Sequence, residues 1–154
     1  MASAHDSSDL VLSLLGSATT MKLQKLLYYC QGWHLAWDGE ALFDERIEAW
    51  ANGPVVRDIY DLHRGTFRLN HPLPASWGAD HERLTKDERE TVESVVDFYG
   101  DWSADQLSRA THGERPWIEA REGLAPTERG TRVISLDTMQ DYFSGLMDQQ
   151  SEDG

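Results

Sequence analysis

The chain has 154 residues, 40% of them hydrophobic, with six Trp, five Tyr, four Phe and a single Cys. This length favours one domain that buries about two thirds of the surface its unfolded form exposes; the apolar content excludes global disorder, and one cysteine excludes an internal disulfide. Twenty-seven acidic against fourteen basic residues leave a formal charge of −13, which repels a phosphate backbone and makes a basic protein a more natural partner than DNA or RNA.

Residues 1 to 8 read as a loose tail, and MASAHDSSD lacks the basic and apolar regions of a signal peptide, so a cytoplasmic location is expected. Leu10, Val11, Leu14 and Leu15 make a short amphipathic helix that starts at Ser8 or Asp9 and ends at Gly16. The stretch from Met21 to Trp37 organises the rest. Leu23, Leu26, Leu27, Cys30, His34 and Trp37 recur at three- and four-residue steps, Tyr29 and Trp33 widen the stripe, Thr20 can cap its start and Gly39 its end. Such a helix is about 25 Å long and reads as a central, nearly encircled core element. Lys22, Gln24, Lys25 and Gln31 interrupt it too often for a membrane span.

A short strand is expected over Ile47 to Trp50. Asn52, Gly53 and Pro54 read as a turn that opens a helix at Pro54, carrying Val55, Val56, Ile59, Tyr60 and Leu62 and closing at Gly65. Thr66 to Arg83 shows no period and reads as a long loop. Thr85 with Glu88 and Ser103 with Gln106 form capping boxes for two helices, the first buried through Val92, Val95, Val96 and Tyr99. Pro116 starts another helix with Trp117, Ile118 and Ala120. Arg132 to Ser135 is a second strand candidate that could pair with the first, and Leu136 to Met147 fits a last amphipathic helix. The expected fold is mainly α (α+β): one compact helical domain over 9–147 around a central helix at 21–37, with a small two-stranded β element and flexible tails at 1–8 and 148–154.

No catalytic set stands out. Cys30, His34 and Asp38 share a helix face, but they lie in an apolar stripe where packing explains them. The six His residues show no metal-ligand spacing, and no glycine pattern forms a phosphate loop. No cofactor or metal is expected. A small hydrolase or metal enzyme stays open as the remote alternative to a binding module. The partner-binding candidates are Trp50, Arg57, Tyr60, Trp77 and Trp117, whose side-chain types anchor interfaces, with His112 beside Trp117 and with Asn52, Gly53 and Pro54 at a helix start where Asn52, Gly53 and Arg57 could receive an acidic group, unless Gly53 and Pro54 merely set a sharp corner beside Trp50.

The run KLQKLLYYCQGWHLAWDGEALFDERIEAWANGPVVRDIYDLHRG, followed by LTKDERETVESVVDFYGDWSADQLSRATH, GERPWIEAR and VISLDTMQDYF, resembles the Panacea domain, the SocA-like, phage-associated antitoxin family. The likeness covers about residues 10 to 145. It implies an antitoxin of a type II toxin–antitoxin system that neutralises a cognate protein toxin by direct contact, small alarmone-synthetase-like enzymes that modify tRNA being among the toxins so neutralised. One branch of the family acts instead as an adaptor that delivers its toxin to a ClpXP-type protease, which is the alternative role the resemblance allows.

Overall fold

The computed structural model describes residues 2–153, with side chains described as far as residue 149. In chain order its elements are α1 (Ala4–Leu15), β1 (Ser17–Thr19), α2 (Thr20–Asp38), β2 (Ile47–Trp50), β3 (Gly53–Val56), α3 (Arg57–His63), β4 (Arg68–Asn70), α4 (Lys86–Tyr99), α5 (Ala104–His112), α6 (Arg115–Ala120) and α7 (Leu136–Asp153), with single 3-10 turns at Ala75–Trp77 and His81–Arg83. The architecture is mainly helical with small β elements, as the periodicity predicts.

The central helix is α2. Thr19 caps it by accepting from the Lys22 amide, one residue earlier than expected, and Gly39 leaves it in the left-handed conformation. Every residue from Leu23 to Leu35 is buried, so even its polar positions must find partners inside the protein. Gln31 accepts from the Leu42 amide at 2.7 Å and donates to the Phe43 carbonyl at 2.8 Å, which folds the segment after α2 back on the helix. Helix α7 lies across α2 at Gly32, where the absence of a Cβ admits the Phe143 ring. Helices α4, α5 and α1 enclose further sides of α2.

Five sequence expectations need correction. The segment read as a loose tail at 1–8 carries the first turns of α1: Ser3 and Asp6 form a capping box, and Asp6, Ser7 and Ser8 are buried. Asp6 also accepts from the Asp80 amide at 2.9 Å, and Ser8 Oγ donates to the Ala4 carbonyl at 2.8 Å, so local acceptors explain how a polar segment can be interior. Pro54 lies on a strand and does not open a helix; α3 begins at Arg57. Thr66 to Arg83 contains β4, which pairs antiparallel with β1 through Ala18 and Leu69. The β structure is therefore two separate pairs. At the other end α7 continues to Asp153, through most of the segment read as a tail, and Gly154 lies outside the described residues.

In the second pair, β2 and β3 are antiparallel with Trp50 opposite Gly53 and Ile47 opposite Val56. The 132–134 segment flanks β2 on its other side: the Ala49 amide donates to the Arg132 carbonyl at 2.8 Å, the Ile134 amide to the Ile47 carbonyl at 2.8 Å, and Glu48 bridges Val133. The two strand candidates of the sequence do meet here. Because the Ala49 amide points to Arg132 and away from its partner Pro54, no ladder bond needs the amide that proline lacks, and edge position accommodates the residue.

Candidate functional site

The β2–β3 hairpin is tied to α2 by two buried side chains. Gln24 accepts from the Val56 amide at 2.7 Å and donates to the Val56 carbonyl at 3.3 Å. Its amide nitrogen also stands 2.9 Å from His63 Nε2, which makes that ring nitrogen the acceptor and the imidazole neutral. Burial lowers the His63 pKa, and nearby Lys25 adds to the effect. Lys25, fully buried, donates its ammonium to the Pro54 carbonyl at 3.2 Å. Desolvation brings its pKa down to about 8, since burial strips the charged form of its water.

The tip of the hairpin is fastened from the other side. Ser108 Oγ donates to the Asn52 carbonyl at 2.6 Å, and Trp117 Nε1 to the Trp50 carbonyl at 2.8 Å. The His112 ring stacks on Trp117 with centroids 4.3 Å apart. His112 Nε2 is buried without a hydrogen-bond partner, and burial holds the ring's pKa below its usual value. Arg121, 5% exposed, donates to the carbonyls of Ala49, Ala125 and Glu128 at 3.0, 3.0 and 2.6 Å and faces the Trp117 ring at 5.3 Å. It thereby anchors the loop that leads to Arg129.

At the rim, Glu48 is buried and accepts from Trp50 Nε1 at 2.8 Å and Arg46 Nε at 2.9 Å, with Arg57 at 3.8 Å. The Trp50 ring meets Tyr60 edge to face at 4.7 Å, and the Arg57 guanidinium lies 5.9 Å from one ring and 6.0 Å from the other. Arg57 also bonds Asp61 at 3.2 Å. Between the N-terminal half of α2, the hairpin tip, α3 with its exit and residues 129–131 opens a cleft of about 700 Å³, of a size suited to a small ligand or a protruding side chain.

Eight of the nine predicted binding residues therefore cluster about one hairpin. Trp50, Asn52, Arg57 and Tyr60 line the cleft, Gly53 and Pro54 cover Lys25 beneath it, and His112 and Trp117 brace its back. Trp77 does not join them: at 7% exposure it belongs to the hydrophobic core, which removes it as an anchor. Sequence reasoning missed Lys25, His63 and Arg129. The signal for Lys25 was its place in a helix apolar on nearly every side, where a charge demands an explanation.

A second, largely apolar groove of about 540 Å³ lies between α2, α4 and α7, lined by Trp33, Trp37 and Phe98 among others. The Cys30–His34–Asp38 trio forms no reactive arrangement. Burial pushes the Cys30 thiol well above its usual range, while His34 Nδ1 bonds Thr91 Oγ1 at 2.7 Å and stands 3.6 Å from Asp38. Among the described residues no cluster of three or more His, Cys, Asp or Glu could hold a metal ion, and no helix is long and apolar enough to cross a membrane.

No curated protein and no solved structure matches the chain significantly. A family model, described as "Antitoxin SocA-like, Panacea domain", matches residues 23–118, a span that holds Lys25, the whole hairpin, α3 and Trp117. The chain belongs to the SocA-like antitoxin family of Panacea domains, a family whose members bind a partner protein.

Proposed function

We propose that this protein is the antitoxin of a type II toxin–antitoxin pair and silences a cognate protein toxin in the cytoplasm by contact, making and breaking no bond. The face around the hairpin is the contact surface. The observation that carries this reading is the braced cluster of Trp50, Arg57 and Tyr60, side-chain types that dominate binding energy when held at the centre of an interface. The net charge of −13 adds a long-range attraction for a basic toxin.

Coexpression with the product of the neighbouring gene tests it. That product alone should arrest growth, and the antitoxin should restore it and copurify with the toxin. Trp50→Ala and Arg57→Ala should each weaken the complex at least tenfold, whereas Phe98→Ala in the second groove should leave rescue intact. Arrest that persists with both proteins present in quantity refutes the reading.

A further inference from the structure

The cleft has a charge opposite to that of the molecule. It gathers Lys25, Arg57, Arg64 and Arg129 from a chain with only fourteen basic residues, and no carboxylate among the described residues lines it. Glu48 and Asp61 pair with Arg57 from outside the lining, at 3.8 and 3.2 Å. Lys25 sharpens the asymmetry. It is fully buried, its ammonium hydrogen-bonds a neutral carbonyl, and it forms no ion pair among the described residues. Replacing such a charge by an apolar side chain would favour folding. A charge kept at that cost is accounted for when an incoming anion completes it.

We propose that the cleft is a seat for an acidic segment of the partner protein, whose Asp or Glu carboxylates enter between Arg57 and Arg129 within the field of the buried Lys25. The proposal rests on the toxin-binding reading and specifies what the toxin presents. Charge complementarity selects the occupant. An extended nucleic-acid backbone would lay its remaining phosphates over a surface of net charge −13, whereas a short acidic loop can place two or three carboxylates in the cleft while the basic remainder of its parent protein faces the acidic exterior. The Trp50 and Tyr60 rings then give the segment an apolar wall. This alternation of sign fixes the register of the complex, because a displaced partner would meet like charge.

The isolated, full-length chain allows a test that does not depend on the toxin. Acetyl-tetra-aspartate amide is titrated against isotope-labelled protein, following the Trp50 indole and Gln24 side-chain amide signals, with ATP as the comparison. The peptide should move both signals, and Arg57→Gln and Arg129→Gln should each raise its dissociation constant at least fivefold. Lys25→Met should do the same while raising the melting temperature, which separates loss of the charge from loss of the fold. Movement by ATP and not by the peptide overturns the proposal in favour of a nucleotide site; movement by neither overturns it outright. Peptide binding combined with failed growth rescue would leave the cleft standing and remove the toxin reading.

Discussion

Gly53 rests on Lys25: a Cβ at residue 53 would stand 2.6 Å from Cε of the lysine and 3.2 Å from Thr111 Oγ1. The backbone there has φ of +122°, a region that side-chain-bearing residues avoid. The glycine is thus required twice, once for the turn and once for the approach of hairpin to helix. Gly53→Ala should cost about 2–4 kcal/mol, from backbone strain and overpacking together. Gly39→Ala is the control, since Gly39 also has positive φ but open space around it; it should cost about 1 kcal/mol. Urea unfolding of the two variants decides, and equal losses would remove the contact from the account.

Two desolvated charges, Lys25 fully buried and Glu114 partly so, should leave opposite marks on the pH dependence of stability. Burial raises Glu114 from 4.5 to about 7, although Tyr28 and Tyr29 each donate to it at 3.0 Å. Between pH 4.5 and 7 the unfolded chain gives up this proton while the folded chain keeps it, so stability falls by about 3 kcal/mol across that window. Lys25 works in reverse. Folded, it loses its proton near pH 8 against 10.5 when unfolded, so stability rises by a similar amount between those values. Compared with wild type, Glu114→Gln should therefore gain stability as pH goes from 5 to 7.5, and the advantage of Lys25→Met should shrink from pH 8 to 10. Differences independent of pH would contradict both assignments.

Helix α7 packs tightly on α2 at Gly32, where a Cβ would lie 2.2 Å from Cε2 of Phe143. That ring is fully buried and packs against Tyr28, Tyr29 and Trp33, so it has little room to retreat. Gly32→Ala should cost about 2–3 kcal/mol. Adding Phe143→Leu should cost less in the alanine background than in wild type, because the smaller side chain relieves the same overlap. Additive losses in a double-mutant cycle would show that the two positions do not communicate.

The start of α1 offers a graded comparison. Ser3→Ala removes a cap and should cost about 1 kcal/mol. Asp6→Ala should cost more, about 2–3 kcal/mol, because the buried Asp6 carboxylate accepts from the Ser3 and Asp80 amides and from Arg83 and its loss removes three charge-assisted hydrogen bonds at once. Thermal melts should order wild type, Ser3→Ala and Asp6→Ala from highest to lowest; no effect of either would restore the view of this segment as a loose tail.

Local chemistry was legible and distant pairing was not. Thr85 with Glu88, Ser103 with Gln106 and the Gly39 exit were read correctly because each capping contact spans a few residues. The Ser3–Asp6 box carries the same signature, yet its polar surroundings disguised a buried helix whose partners, Asp80 and Arg83, lie far along the chain. The β1–β4 pair joins Ser17 to Asn70 and has no local signal at all. Pro54 suits the first turn of a helix and the edge of a sheet equally well, and only the outward turn of the Ala49 amide decides between them. At the site, Trp50, Arg57 and Tyr60 announced themselves by residue type. Lys25 and Arg129 became part of the same cleft only through the fold, the one by burial in α2 and the other through a loop anchored by Arg121.

Trp50 is fastened at both ends, its ring nitrogen donating to Glu48 and its backbone carbonyl accepting from Trp117 Nε1. It meets an approaching surface already frozen in one orientation. The rotamer freedom that docking would otherwise remove, about 0.5–1.5 kcal/mol for a large side chain, was surrendered when the chain folded. Such a ring behaves as a preset key, and most of its benefit should be felt as a slower departure of whatever it grips.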